Sequence, residues 1–366
     1  VIKYLSKVKI NQIRGVALLR LDFNTDDDWR MRAVLPTIRF LFLHSSKIVI
    51  VSHKGRPSGF EKKFSLRKDA YNLQKLLKKP VKFLTDFNFA AIKKTVASSP
   101  RGSVFLLENL RFLGGEEKND SGLAKKLASL ADFYVNDAFA VCHRANASVV
   151  AITKFLPSYA GLELEREIKF LSGAIKKPAH PVVLVLGGGK AADKLGAMRC
   201  FKNKADSILL GGAAANTILR LQGADMRRSL LDKDKRDLKS LREVLRYKNA
   251  VLPVDLRWHK GAALDIGKRT VEIFSKKVSR ARTIIWSGPM GYFEKRGFGV
   301  GNLAVARAIA RNRKAFTLAG GGETVAFLKK HKLDKKFSFI STGGGAMLDY
   351  LAGKELPGVR ALQNNK

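Results

Sequence analysis

Short apolar runs alternate with stretches of helical periodicity along the whole chain. VALL at 16–19, IVIV at 48–51, VVLVL at 182–186 and TIIW at 283–286 are apolar on both faces rather than at every second residue. Parallel strands buried between helix layers read this way, whereas a strand with one wet face would alternate. The segments between them carry apolar residues at three- and four-residue spacing, as GLELEREIKFLSGAI does at 161–175. Repeated strand–helix alternation predicts an α/β protein built from βαβ units, and 366 residues leave room for two or three domains. Sheets of this kind bind ligands beyond the carboxyl ends of their strands. The residues just after each strand are therefore the informative ones.

In the first half, strands end in polar and charged side chains. VALLRLDFN (16–24) delivers Asp22 and Asn24, with Arg30 just beyond. KIVIVSHKGRP (47–57) delivers His53 and Arg56; SVFLLENLRF (103–112) delivers Asn109 and Arg111; DFYVNDAFAVCHRA (132–145) delivers Asp137, His143 and Arg144. A single arginine would as readily pair with a local carboxylate. Cations after four successive strands instead predict one basic rim, and guanidinium forks suit phosphate and carboxylate.

In the second half, strands end in glycine. PVVLVLGGGKAADK (181–194), SILLGGAAANT (207–217), TIIWSGPMGYFE (283–294), AFTLAGGGETVAF (315–327) and FSFISTGGGAML (337–348) run from strand through a glycine turn toward a helix. Glycine lets backbone N–H groups approach an anion, and a helix start favours negative charge. One such turn is weak evidence; five in one half predict a nucleotide domain. None is a familiar fingerprint: GGGKAADK lacks the spacer of a G-x-x-x-x-G-K-[ST] loop, and no strand carries G-x-G-x-x-G into a helix. The pattern thus predicts two doubly wound (Rossmann-like) parallel-sheet domains with a deep interdomain cleft, side-chain cations on one side and backbone donors on the other.

Composition changes this picture little. Lys and Arg number 69 against 31 Asp and Glu, a formal charge of +38. Dense positive charge can reward nucleic acid or steer a small anionic substrate. Here the cations are dispersed, as in KDKRDLKSLREVLRYK at 233–248, which reads as compositional bias on solvated faces. Two cysteines cannot form a disulfide framework, so a reducing, cytoplasmic setting is expected. Cys142, beside His143, reads as a small core residue. The opening residues carry no signal-peptide pattern, and no apolar stretch is long enough for a membrane span.

The segments LRLDFN, SHKGRP, LLENLRF, YVNDAFAVCHRA, GGGKAADK, GPMGYFE, GGGET and ISTGGGAMLDYLAGKELPGVRAL stand in the order found in phosphoglycerate kinases, and the chain resembles that family from about residue 12 to 362. The resemblance implies reversible phosphoryl transfer between 1,3-bisphosphoglycerate and Mg-ADP, giving 3-phosphoglycerate and Mg-ATP. It implies a glycerate-binding domain over 1–160, a hinge helix over 161–178, a nucleotide-binding domain over 179–351 and a tail, 352–366, returning to the first domain. Carried over by motif, Asp22, Asn24, Arg30, His53, Arg56, Arg111 and Arg144 hold the glycerate. Lys190 and Lys194 meet the phosphates, Gly211, Gly212 and Ala213 line the adenine pocket, and Glu294 binds the ribose. Gly320, Gly321, Gly322, Glu323 and Thr324 lie at the phosphate and metal, with Glu323 toward Mg²⁺. Arg30, Lys190 and Gly344 serve the transferring group. A carboxylate is already a ready nucleophile, so positioning and charge stabilisation suffice without a general base. A monomer that closes on its substrates is implied, with no membrane or nucleic-acid partner.

The chain departs from the family pattern at five places. The loop TDDDW before Arg30 is short; HRAH is HRAN, giving Asn146; WNGP is WSGP, giving Ser287; the third glycine of the adenine loop is Ala213; and GGGD is GGGE, giving Glu323. These departures leave a second expectation open, a catalytically impaired paralogue that binds polyanions.

Overall fold

The computed structural model describes residues 1–25 and 27–364. Asp26 of the shortened loop, and Asn365 and Lys366 of the tail, lie outside the described residues. The chain divides into two compact units, one formed by Val1–Lys169 with the segment from Glu355, the other by Phe170–Lys354.

Unit 1 holds a six-stranded parallel sheet of β1 (Val16–Arg20), β2 (Lys47–Val51), β3 (Lys82–Leu84), β4 (Val104–Leu107), β5 (Phe133–Asn136) and β6 (Ser158–Ala160), in the order β3-β4-β2-β1-β5-β6. Unit 2 repeats the plan. Its strands are β7 (Val182–Leu186), β8 (Ser207–Leu210), β9 (Ala250–Val251), β12 (Thr283–Ser287), β13 (Phe316–Gly320) and β14 (Phe339–Ile340), in the order β14-β13-β12-β7-β8-β9, all parallel. An antiparallel hairpin, β10 (Leu256–His259) with β11 (Ala262–Ile266), stands apart from that sheet. The expectation of two doubly wound α/β domains is met.

In each sheet the winding reverses beside the first strand. The chain steps from β1 to β2 on one side and later places β5 on the other; likewise it steps from β7 to β8 and later places β12 across β7. Loops leaving the two strands at such a reversal part in opposite directions and open a crevice. The crevice of unit 1 is thus bordered by the segments after Arg20 and Asn136, and that of unit 2 by the segments after Leu186 and Ser287. Central strands are buried throughout, as both-face apolarity requires. Unit 1 packs around Leu19, Ile50, Leu106 and Phe133; unit 2 packs around Val185, Phe274, Trp286 and Phe327.

The helix Leu162–Lys176 runs across the unit boundary. The helix Pro357–Gln363 packs within unit 1, where Gly358 N–H donates to Cys142 O at 2.9 Å and a methyl group on Gly358 would lie 2.7 Å from Val149. Among the described residues, no helix is long and apolar enough to cross a membrane.

The first turns of Leu162–Lys176 are acidic and buried. Glu163 is 3% exposed, and Asp137 Oδ1 accepts the Leu164 N–H at 2.9 Å. Burial, reinforced by Glu167, pushes the Glu163 carboxyl up to about 9 against the pull of Arg166, and burial pushes Asp137 up to about 6. Both groups hold protons in the fold that the unfolded chain has released above about pH 4–5. The folded state therefore binds more protons, and stability falls as pH rises from there through the folded values. Glu163→Gln keeps an acceptor for Arg166 and removes this titration. Thermal melts should show a midpoint raised by a few degrees at pH 8.5, about unchanged near pH 5, and a flatter pH profile.

Candidate active site

The rim of unit 1 is built from the loops after β1, β2, β4 and β5. Asp22, two residues past β1, is 7% exposed and accepts from Arg30 Nη1 at 2.8 Å and from the Asn24 N–H at 2.8 Å. Burial tends to raise its carboxyl, but His53 when protonated, Arg30, the Asn24 N–H and Arg20 act to hold it below the usual aspartate range. Arg30 enters from the short helix Trp29–Ala33 and lies over the Trp29 ring at 5.4 Å. The shortened TDDDW loop thus still brings its guanidinium to Asp22.

Asn24 Oδ1 accepts the Gly55 N–H at 2.8 Å, which ties the first loop to the second. Asn109 does the same from the other side. Fully buried, it accepts from the Lys54 and Arg111 N–H groups and donates to Lys54 O and Phe64 O. Arg111 follows in the turn Leu110–Phe112, donating to Gly55 O and lying 3.2 Å from Glu117 Oε1. Arg30 Nε and Arg111 Nη2 are buried with no hydrogen-bond partner among the described residues. A buried N–H left unmade is costly, and an oxyanion supplies what is missing.

His53 is 2% exposed. Burial holds its imidazole well below the usual range; Asp22 opposes this, and Arg20, Arg111 and Arg144 reinforce it. Asp22, Arg30, His53, Arg111 and Arg144 are therefore brought together. Arg144 is half-buried and donates to His143 Nε2 at 3.1 Å. Arg56 is exposed on the loop after β2, beside Gly55.

Unit 2 builds its site by lacing three glycine turns together. Gly188 N–H donates to Pro289 O at 2.8 Å, Gly212 N–H to Met290 O at 3.1 Å, and Ala213 N–H to Gly188 O at 2.9 Å. Gly288 has φ +88° and donates to Thr324 Oγ1 at 2.7 Å. Thr324 is fully buried, so its hydroxyl braces the turn after β12. A pocket of about 590 Å³ opens beside these turns, with Gly212, Ala213, Asn216, Tyr292, Glu294 and Glu323 in its wall.

Gly188 faces two charges. A methyl group there would lie 3.5 Å from Glu323 Oε2 and 3.6 Å from Lys194 Nζ. Lys194 is 8% exposed, and burial lowers its pKa against the pull of Asp193, Glu323 and Asp232. Lys190 is exposed on the same turn.

The glycine-turn helices are not equivalent. The helix Ala192–Phe201 has its Ala191 and Ala192 N–H groups taken by Asp232 Oδ2, at 2.7 and 3.1 Å. The helix Gly322–Lys330 starts from Gly321, φ +97°, without a side-chain cap, and Glu323 on its first turn is exposed. Gly320 serves packing instead, since a methyl group there would meet Met347 Sδ at 2.2 Å. Gly344, φ +51°, precedes the helix Gly345–Leu351, and the Gly343 N–H is held by Ser341 Oγ at 3.0 Å.

The departures find places as well. Asn146 is buried and donates to Glu116 Oε1 at 3.4 Å. Ser287 is buried, its Oγ 3.5 Å from a methyl position on Gly321. Ala213 keeps its backbone bond to Gly188. Sequence reasoning missed Arg20 and Asp232. Arg20 had a signal, a cation closing an apolar strand; Asp232 sits in a charge-dense stretch with nothing local to mark it.

Comparison with known proteins finds relatives along nearly the whole chain. A family model described as phosphoglycerate kinase matches residues 11–354. A phosphoglycerate kinase of Dictyoglomus turgidum is 40% identical over 378 residues, covering 95% of each chain. The relative named phosphoglycerate kinase 3, cytosolic, of Arabidopsis thaliana is 42% identical over 364 residues, covering 93% of this chain and 91% of its own. The crystal structure of phosphoglycerate kinase from Pyrococcus horikoshii OT3 superposes with a TM-score of 0.88 at 33% identity, covering 99% and 98% of the two chains. With near-complete coverage in sequence and structure alike, the chain belongs to the phosphoglycerate kinase family.

Proposed function

We propose that this chain catalyses reversible in-line phosphoryl transfer from 1,3-bisphosphoglycerate to Mg-ADP, with unit 1 holding the glycerate, unit 2 the nucleotide and Leu162–Lys176 the hinge. Asp22, Asn24, Arg30, His53, Arg56, Arg111 and Arg144 bind the glycerate. The nucleotide lies over Gly211, Gly212 and Ala213 with its ribose at Glu294. Its phosphates meet Lys190, Lys194 and the open helix start at Gly320–Thr324, where Thr324 acts through the turn it braces. Arg30, Lys190 and the Gly344 turn stabilise charge on the equatorial oxygens. The observation that carries this reading is the pair of buried guanidinium N–H groups on Arg30 and Arg111, unpartnered among the described residues, at the crevice of a parallel sheet. The polyanion-binding alternative gains no support, since the family match runs almost unbroken along the chain. A cytosolic monomer is the accompanying expectation.

Mg²⁺ fits the second unit. The side-chain-free space at Gly188 lies in front of one exposed carboxylate, Glu323, and among the described residues no cluster of three His, Cys, Asp or Glu could hold an ion alone. A metal that arrives with nucleotide phosphates needs only one or two protein carboxylates. There Glu323 would hold it and Lys194 would meet the phosphates, and the metal would supply neutralisation of phosphate charge.

A coupled assay tests both statements. ATP-dependent formation of the acyl phosphate from 3-phosphoglycerate is expected, and its absence with either Mg²⁺ or Mn²⁺ would sink the proposal. Glu323→Gln keeps the reach and removes the charge, and the Mg²⁺ concentration for half-maximal rate should rise about tenfold, the weight of one lost charged contact. An unchanged metal dependence would remove Glu323 from the metal site.

A further inference from the structure

Arg20 closes β1 and has no exposed surface. Its Nε donates to Ser148 Oγ at 2.8 Å, its Nη1 to Leu21 O, and its Nη2 lies 3.2 Å from His53 Nδ1. A guanidinium has donors only and stays charged. Its contact with His53 therefore forms only when Nδ1 carries a lone pair. We propose that Arg20 is a positioning residue that locks His53 as the neutral tautomer with its proton on Nε2, so that His53 meets the glycerate as an N–H donor rather than as a cation. This rests on the assignment of His53 to the glycerate site.

A protonated His53 is the competing arrangement, and the surroundings disfavour it. Its Nδ1–H would have to turn to Asp22, whose Oδ1 is 3.9 Å away. Asp22 is already engaged, Oδ2 by Arg30 and Oδ1 by the Asn24 N–H. An imidazolium would sit, buried, among Arg20, Arg111 and Arg144, with Asp22 opposing them. Burial and those three cations act in the same direction as the lone-pair argument.

Arg20 is itself held fast. Ser148 Oγ, which accepts from Arg20 Nε, donates to Glu116 Oε1 at 2.6 Å, and the Ser148 N–H donates to Glu116 Oε2 at 3.0 Å. Glu116 Oε1 also lies 3.8 Å from Arg20 Nη2, with both side chains fully buried. Asn146, where the family pattern has histidine, donates to the same Glu116 oxygen. A rigid relay of Glu116, Ser148 and Arg20 thus ends on the imidazole and fixes which nitrogen carries hydrogen, as a hydrogen bond to one ring nitrogen does for the other.

Nitrogen-15 NMR of the six histidines, with His53 assigned by its loss in His53→Gln, tests the lock directly. The expected spectrum shows an unprotonated Nδ1 and a protonated Nε2 that persist below the pH at which exposed histidines titrate. An imidazolium or an Nδ1–H tautomer at pH 7 overturns the proposal. In Arg20→Met the tautomers should mix, and the KM for 3-phosphoglycerate should become pH-dependent between about pH 5.5 and 7.5, the range in which an unlocked imidazole titrates. A folded Arg20→Met with the wild-type spectrum and profile also overturns it.

Should that variant not fold, substitutions at His53 decide instead. Gln places its amide nitrogen near Nε2 and should keep the KM within about threefold. Asn places its amide nitrogen nearer Nδ1 and should raise the KM about tenfold or more, the weight of one hydrogen bond to a charged acceptor. Wild-type KM in both would remove His53 from the glycerate site and the donor role with it, while the spectrum still decides the lock by itself.

Discussion

Arg30→Ala is expected to lower kcat for phosphoryl transfer by a factor of about 10²–10³ while leaving the fold intact. The magnitude is that of removing one preorganised charged donor from a transition state. The Arg30–Asp22 bond of 2.8 Å fixes one end of the guanidinium and leaves its buried Nε without a partner among the described residues. A donor so held need not reorganise when charge develops on the transferring group. Alanine removes it and leaves Asp22 with His53 and the Asn24 N–H for company. Arg30→Lys restores a charge without the fork, so only part of the loss should return. Steady-state kinetics in both directions, with urea melts as a control for folding, would check this. A kcat within about threefold of wild type would remove Arg30 from the reacting centre.

Gly288→Ala should be the most damaging single methyl group in unit 2. Gly288 sits at φ +88°, a region costing an L-residue about 1–2 kcal/mol, and its new methyl would lie 2.2 Å from Gly187 O and 2.4 Å from Gly187 C. Both neighbours are backbone atoms in the turn after β7, so neither can swing aside. The turn after β12 also carries the Gly288 N–H to Thr324 and receives the Trp286 indole N–H at 2.8 Å on Gly288 O. A loss above about 4 kcal/mol is expected, beyond the ordinary range for single substitutions. Gly297 supplies the control. It has φ +89° but nothing within 4 Å of a methyl group, so Gly297→Ala should cost only the conformational part. Equal midpoints in urea for the two variants would mean that the close approach at Gly288 does not matter.

Much of this was legible along the chain because the motifs are contiguous. LDFN, SHKGRP and ENLRF each hold, within a few residues, both the end of a strand and the side chain it delivers, and βαβ winding forces those ends to one edge of a sheet. Polar groups that act across long separations were not legible. Asp232 takes the N–H groups of Ala191 and Ala192 from 40 residues away, and a helix start that reads as an anion site is thereby already filled. Thr324 follows the glycines as a donor toward phosphate would, yet its oxygen also accepts the Gly288 N–H and so braces the turn after β12. Asn109 looks like a ligand residue at a strand end, but its side-chain oxygen and nitrogen hold the backbone of Lys54, Phe64 and Arg111. In each case the motif names the residue types, and only packing decides which atoms remain for a ligand.

The segment from Glu355 belongs with residues made near the start of synthesis. Helix Pro357–Gln363 buries Leu362 fully and seats Gly358 against Cys142 and Val149. Unit 2 is continuous from Phe170 to Lys354. On the ribosome the order of completion is therefore inverted. The stretch of the second unit is complete first, while the first waits, a helix short, until translation has passed Gln363.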